Sequence, residues 1–109
     1  MLDVYQTDDE IVIKAPIAGV KPEDLDISIT NDTVTVRGKR EHDMTVRDEN
    51  YFYRECHWGS FSRQVILPVE IDADAALASL KNGILAIRLP KAKGVKGKKL
   101  RVKAESQLS

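Results

Sequence analysis

The run Glu55-Cys56-His57 contains the most reactive side chains in this sequence. A cysteine beside an imidazole can supply the thiolate nucleophile on which thiol enzymes depend. In a strand, however, adjacent side chains point to opposite faces, so Cys56 and His57 cannot pair directly. We therefore expect no enzymatic activity and interpret Cys56 as an ordinary strand cysteine, with an intersubunit disulfide as the alternative.

The pattern of ionisable residues does not favour a metal or nucleic-acid site. His42 and His57 are too few to bind a metal without carboxylate help, and Asp72 and Asp74 are more typical of a turn than of a cation site. The lysines after Pro90 could contact RNA or phosphate, but no aromatic rings lie between them to stack on bases. The whole chain balances 17 basic against 17 acidic residues. We expect a solvated basic arm, with no metal, no cofactor and no nucleic-acid partner.

Length and composition predict one globular domain. A chain of 109 residues is long enough for one core and too short for two. Hydrophobic residues make up 42% and charged residues 31% of it. One cysteine cannot form a disulfide framework, and the first residues lack a signal-peptide pattern. These two features lead us to expect a reducing, cytoplasmic setting. No apolar stretch approaches the ~20 residues of a membrane helix, so we expect no membrane partner.

The elements that must position these side chains are predicted to be strands. Apolar and polar residues alternate along several segments, as half-buried strands require. The predicted inward residues are Ile11, Ile13, Ala15, Leu25, Ile27, Ile29, Val34, Val36, Phe61, Val65, Leu67, Leu85, Ile87 and Leu89. Arg63 falls on the same face as Phe61. Short strands separated by turn residues predict an antiparallel sandwich of two sheets, and Pro22-Glu23-Asp24 suits one helical turn at most.

The segment 38–58 interrupts this pattern. In compact domains, loops longer than about 12 to 15 residues usually carry function or move. This one opens with charged residues and then presents Tyr51, Phe52 and Tyr53 in succession. Exposed rings of this kind need a partner. We interpret Trp58 as a further interface or core ring.

The stretch 72–90 allows two interpretations. As a helix, it would begin with Asp74 as a cap, continue through alanines and leucines, and end at Gly83. As a hairpin, it would turn at Asn82-Gly83, although alanine is a poor strand former. The residue pattern alone favours the helix.

The sequence resembles the α-crystallin domain of the small heat-shock protein family. The family's pattern is an alanine, three variable residues, Asn-Gly, an aliphatic residue and leucine, which stands here from Ala78 to Leu85. Further matches in the expected order are GVKPEDLDISI, VTVRGKR, GSFSRQVILP, LPK and KKLRV. This resemblance changes our prediction for 72–90 to the hairpin. The predicted cross-strand pairs are Leu80 with Leu85 and Ala78 with Ile87.

The resemblance implies an all-β fold, an immunoglobulin-like antiparallel β-sandwich with a long loop that carries an exchanged strand. The implied domain covers 1–90, with 38–58 as its dimerisation loop and 91–109 as a flexible C-terminal extension. The implied function is that of an ATP-independent molecular chaperone, or holdase, which binds unfolding client proteins and prevents their aggregation. Bacterial and plant members form homodimers when this loop lends its strand to the neighbour's sheet.

For this chain, the resemblance implies six dimer-interface residues, Val4, Tyr5, Tyr51, Phe52, Tyr53 and Arg63. The three consecutive aromatic residues would form the exchanged strand, and the N-terminal pair would lie on the strand that accepts it. The arginine corresponds to one that the family places two residues after a phenylalanine. Because a charge on an inward face must be paired, we expect it to bond a carboxylate or carbonyls near the interface. The alternative is a solvated arginine at a sheet edge.

The resemblance also implies a groove that binds a C-terminal tail. The family's Ile-x-Ile motif docks between two strands, and Leu100-Arg101-Val102 is its counterpart here, with Leu100 and Val102 as anchors. The implied groove residues are Ile27, Ile29, Ala76, Ala78 and Leu80. We hypothesise that the small alanines sacrifice strand propensity to leave a slot open for a tail from another subunit, which would permit higher oligomers.

The chain departs from the family's pattern at two places. Many members carry Arg-x-Glu-Arg before the glycine, whereas Tyr53-Arg54-Glu55-Cys56 stands here, so the interface ion network is expected to differ. The family's variable N-terminal arm, to which client binding and assembly are attributed, has no counterpart, whether it is naturally absent or trimmed. We therefore expect a dimer that assembles less than longer relatives, which a large stable assembly in sedimentation would contradict.

The rival interpretation is a CS-type co-chaperone or scaffold domain. Such a domain shares the sandwich but binds a chaperone ATPase, and it lacks both the exchanged-strand loop and the tail motif. Suppression of client aggregation without a partner or nucleotide would favour the holdase.

Overall fold

The computed structural model describes residues 1–41, 46–93, 102 and 104, and seven strands lie within them. They are β1 (Asp3–Gln6), β2 (Glu10–Pro16), β3 (Leu25–Ile29), β4 (Thr33–Arg40), β5 (Gly59–Ile66), β6 (Leu77–Lys81) and β7 (Ile84–Pro90). Single 3-10 turns cover Pro22–Asp24, Asp48–Asn50 and Ala73–Ala75. One antiparallel sheet has the order β1-β2-β7-β6, and the other has the order β3-β4-β5. The predicted all-β antiparallel sandwich is confirmed.

The core lies between the two sheets and is built from the alternating residues. Its buried members are Ile11, Ile13, Ala15, Ile17, Val20, Val34, Val36, Leu67, Ile71, Leu85, Ile87 and Leu89. The predicted inward residues of β3 and β5 are partly buried and pack against this cluster. Period-two alternation thus placed the apolar faces of β2, β3, β4, β5 and β7 correctly, because successive side chains of a strand point to opposite faces.

Val12 is a buried residue that alternation places on the outer face of β2. It is 1% exposed, although it is not part of the core cluster. β2 lies between β1 and β7, so Tyr5 and Arg88 stand directly opposite Val12 on its two flanks. Long side chains on neighbouring strands cover apolar surface with their stems and rings. A central strand therefore buries a residue on its solvent side as well.

The stretch 72–90 forms the hairpin and not the helix. Asn82 (φ 53°) and Gly83 (φ 77°) both have left-handed backbone, as a two-residue turn of the hairpin type requires. The predicted pairs, Leu80 with Leu85 and Ala78 with Ile87, are both present. Helical geometry is limited to the turn at Ala73–Ala75, where Asp72 accepts a hydrogen bond from the backbone N–H of Asp74. Cross-strand pairing with β7 overrides the helix propensity of the alanines.

Two boundaries differ from the sequence prediction. β4 continues through Arg40, so the excursion begins at Glu41 and not at residue 38. At the other end, Lys91 forms a β-bridge with Ile71, and the Ala92 N–H donates to the Glu70 carbonyl, so these residues still belong to the sandwich. Backbone pairing decides both boundaries, and composition does not reveal it.

Gly38 lets an aromatic ring lie across the β3-β4-β5 sheet. It pairs with Phe61 on β5, and a Cβ at residue 38 would lie 2.4 Å from Cζ of that ring. A strand glycine commonly marks such a close approach. The Phe61 ring therefore occupies the space that a side chain on β4 would otherwise fill.

Candidate dimer-interface and tail-binding surfaces

The sandwich has two open sides, each formed by one edge strand from each sheet. β3 and β6 meet on one side, where residues of both strands line a common groove. β1 and β5 are the opposite edges of the same two sheets. On that side, Leu2 just before β1 and Phe61 and Arg63 on β5 line a cavity. We refer to these two regions as the β3/β6 groove and the β1/β5 side.

The aromatic segment of the excursion projects from the sandwich. Phe52 is 98% and Tyr53 is 85% exposed, whereas Tyr51 is half-buried. The Arg54 guanidinium lies 4.8 Å from the centre of the Tyr51 ring and bonds the Asp48 carboxylate at 2.5 Å. Tyr51 and Tyr53 line a common cavity, whereas Phe52 does not, and none of the three residues is part of a strand in this single chain.

β1 offers an edge to which another strand could be added. Its four residues are all exposed, including Val4 and Tyr5, and its only partner strand within the described residues is β2. An unpaired edge presents a row of backbone donors and acceptors. Val4 pairs with buried Ile13, so it lies on the core-facing side of the sheet, while Tyr5 lies on the outer side.

Arg63 faces the space between the sheets at the edge of the sandwich. It stands opposite buried Val36, which confirms the predicted face. The arginine is exposed and lines a cavity of about 300 Å³ together with Ile13 and Leu85. Within 1–41 and 46–93 it has neither a hydrogen bond nor an ion pair. The bonding partner that the sequence led us to expect is therefore not a described residue of the same chain.

Arg40 is an interacting residue that the sequence analysis missed. Its Nε donates to the Ala18 carbonyl at 2.9 Å, and its Nη1 donates to the His57 carbonyl at 3.3 Å. The same guanidinium lies 5.5 Å from the centre of the Phe61 ring. In the sequence, Arg40 is the last residue of the VTVRGKR run, and a charged residue at this place suggests the start of the loop. This position is the only sequence feature that marks Arg40.

The β3/β6 groove has a volume of about 190 Å³ and an apolar lining. Its lining residues are Pro22, Leu25, Ile27, Ala78, Ser79, Leu80 and Leu85. Of the five groove residues predicted from the sequence, the structure brings together Ile27, Ala78 and Leu80. Ile29 and Ala76 instead pack against the core cluster and do not line the groove. Pro22 and Leu25 were missed because they lie in and just after the 3-10 turn, outside the strand pattern.

Of the two alanines in the slot hypothesis, Ala78 is exposed and lines the groove, whereas Ala76 does not line it. Of the two predicted tail anchors, Leu100 lies outside the described residues, and Val102 is 93% exposed. Tail docking therefore stays a prediction.

Cys56 and His57 are exposed and do not lie in a strand, so the argument from strand alternation does not apply to this single chain. Residues 1–41 and 46–93 contain no group of three or more His, Cys, Asp or Glu side chains suited to holding a metal ion. His42 lies outside the described residues. The part of the chain that the structure describes also contains no helix that is long and apolar enough to cross a membrane.

Comparison with known proteins places these features in a family. Residues 3–104 match the Hsp20/alpha crystallin family model. The small heat shock protein C2 of Rickettsia felis is 37% identical over 101 residues, which cover 93% of this chain and 66% of that protein. The protein belongs to the small heat-shock protein family, as its sequence motifs indicated. It spans 59 to 66% of the length of the first curated relatives it matches.

Solved structures show the same fold. Heat shock protein 16.0 from Schizosaccharomyces pombe superposes with a TM-score of 0.78 at 29% identity, covering 97% of this chain and 96% of that one. A small heat-shock protein from Xylella fastidiosa, described as having a distinct high order structure, gives a TM-score of 0.75 at 26% identity with 95% coverage of both chains. The sandwich is thus the fold of these small heat-shock proteins.

Proposed function

We propose that this protein is an ATP-independent holdase that binds unfolding proteins and prevents their aggregation. The observation that carries the proposal is exposed apolar surface on both open sides of a sandwich that belongs to this family. Contiguous exposed apolar surface is typical of interaction sites. The proposed activity is therefore the binding of exposed apolar segments of unfolding proteins.

The test of this activity is light scattering from a heat-unfolding enzyme mixed with the purified protein. We expect suppression of scattering without nucleotide, and no change when ATP is added. Protection that appears only when a chaperone ATPase is present would instead identify a CS-type co-chaperone. Failure to protect any of several unrelated clients at equal mass would contradict the holdase.

We also propose that two chains form a homodimer by strand exchange. In this arrangement the segment 51–53 of one chain adds to the free edge of β1 in the other. Strand addition supplies main-chain hydrogen bonds for affinity, and alternate side chains supply specificity. The exposed Phe52 and Tyr53 rings and the exposed Val4 and Tyr5 support this pairing. Arg63, which lines the same open side, is proposed to bond a carboxylate or carbonyls of the partner.

Sedimentation of matched aspartate variants tests the exchange. Phe52→Asp places a charge in the proposed exchanged strand and should convert the dimer to monomer. Ile66→Asp is the control, because Ile66 is also a highly exposed apolar residue but lies at the far end of β5. Equal dimerisation of both variants would rule out the exchange.

Higher assembly is proposed to use the tail and the β3/β6 groove. Leu100 and Val102 of one chain would occupy the slot beside Ala78 of another.

The proposed setting is the cytoplasm, which the single exposed Cys56 favours because no disulfide framework is present.

A further inference from the structure

Arg40 lies at the root of the excursion between β4 and β5. It is the last residue of β4, and it pairs across the sheet with Gly59, the first residue of β5. The chain that leaves the sandwich after Arg40 returns at Gly59. Whatever fixes this one residue pair also fixes the base of the segment 41–58.

The Arg40 side chain contacts three separate parts of the molecule. Its donors reach the carbonyls of Ala18, in the connection that follows β2, and of His57, just before β5. Its charge also lies against the Phe61 ring. One guanidinium therefore bridges the two sheets and the returning end of the excursion. A planar group with several fixed donors can do this, whereas the compact ammonium of a lysine presents a single point charge.

Both hydrogen bonds end on backbone carbonyls, so they constrain the path of the main chain and not a particular side chain. The backbone two residues after His57 carries a second constraint. Gly59 has a φ of +100°, and a Cβ there would meet nothing within 4 Å. The glycine is thus required for the direction of the chain and not for space. Arg40 and Gly59 act on the same few peptide units.

We infer that Arg40 is a positioning residue for strand exchange, which fixes with Gly59 the direction in which the aromatic segment leaves the sandwich. This inference rests on the proposed dimer. Because the base of the segment is ordered before the partner arrives, less conformational freedom is lost on association. Arg40 then strengthens the dimer through contacts within its own chain.

Replacement of Arg40 on an otherwise intact chain tests the inference. Arg40→Met keeps most of the stem and removes the donors, Arg40→Lys keeps the charge without the fork, and Arg37→Met is the matched control. Arg37 lies on the same strand and is exposed. In dilution sedimentation we expect Arg40→Met to weaken the dimer on the order of tenfold, since hydrogen bonds from charged donors are among the stronger ones in proteins. Arg40→Lys should resemble it, and Arg37→Met should resemble the unaltered chain.

A second measurement separates positioning from general stability. Trypsin cleavage after Arg54 is followed at a concentration low enough for the chain to be monomeric. Circular dichroism checks that the chain is still folded at this concentration. Arg40→Met should be cleaved several-fold faster than Arg37→Met. Unchanged cleavage, or a weaker dimer without faster cleavage, would overturn the positioning role. If Arg40→Met does not fold, Arg40→Lys carries the same comparison.

The strand-exchange proposal can fail separately from this inference. If the unaltered chain is monomeric, or if Phe52→Asp leaves the dimer intact, strand exchange is wrong. The cleavage comparison in the monomer still decides whether Arg40 holds the base of the excursion. If strand exchange is wrong, the proposed role of Arg40 in dimerisation is wrong as well.

Discussion

The β1/β5 side of the sandwich combines two arginines, Arg40 and Arg63, with apolar residues around a cavity of about 300 Å³. The β3/β6 groove is smaller, about 190 Å³, and none of its described lining residues is charged. Charged groups at an interface favour one partner over others by requiring complementary groups, while an apolar slot selects by size and shape. This difference supports the two proposed contacts, which place a polar backbone edge on one side and short aliphatic side chains on the other.

The largest effect is expected from closing the groove with Ala78→Leu. Each aliphatic side chain that docks fully is worth about 1.5–3 kcal/mol before association costs, and both tail anchors would lose their slot. Sedimentation should show loss of higher assembly with the dimer retained, and NMR should show a more mobile tail. Ser28→Leu, on the exposed outer face of β3, is the control. Unchanged assembly and tail mobility would count against the groove.

On the β1/β5 side, Arg63→Ala should weaken the dimer by about 1.5–3 kcal/mol, the usual value of a hydrogen bond to a charged group. The folded monomer should change by no more than about 0.5 kcal/mol, as for other surface substitutions. This separation is expected because Arg63 bonds no described residue of its own chain. Dilution sedimentation and urea unfolding measure the two quantities. A large loss of monomer stability with an unchanged dimer would show that Arg63 is an ordinary structural residue.

Gly38→Ala should lower the free energy of unfolding by about 1–3 kcal/mol, the usual cost of overpacking. The added Cβ would come within 2.4 Å of the Phe61 ring, which lines the β1/β5 side. Combining it with Phe61→Leu removes the clash and should recover part of the loss relative to Phe61→Leu alone. Urea unfolding of the four chains measures this coupling. Additive effects would mean that the ring is not what excludes a side chain at residue 38.

The smallest effect is expected from Glu10→Gln. Glu10 accepts a hydrogen bond from Arg88 Nη1 at 2.7 Å on the outer face of the β1-β2-β7-β6 sheet. Such exposed pairs contribute about 0.2–1 kcal/mol, so urea unfolding should shift slightly. Because the pair lies on neither open side, dimerisation and tail docking should not change. A change in either would show that the two sides are not independent of the sheet that connects them.

The strand pattern and one turn account for most of what could be predicted. The burial of Ile13 and Ile87 follows from alternation, which is a local signal, whereas the pairing of Leu80 with Leu85 was predicted only because the family resemblance favoured a turn at Asn82-Gly83 over a helix. The burial of Val12 is not local, since it depends on which strand lies in the centre of a sheet.

The candidate sites were less predictable because they too depend on residues that are far apart in the sequence. Ala78 and Ile27 were placed in the groove by resemblance, but Leu25 depends on how the turn at Pro22–Asp24 leads into β3. Arg40 depends on two carbonyls, 22 and 17 residues away along the chain. No spacing rule connects these groups, and only the folded backbone brings them together.

The position of the two open sides on opposite edges of the sandwich sets how assemblies can grow. If both proposed contacts form, each chain has two interfaces that do not overlap, so both can be occupied at the same time. Exchange is reciprocal and ends with two chains, whereas a tail that docks in another chain's groove is directional. Directional contacts close into a shell or ring only when their rotations add up to a full turn, and otherwise continue as a fibre. The geometry of the short link after Ala92 would then decide the size of the particle, while the sandwich itself stays the same.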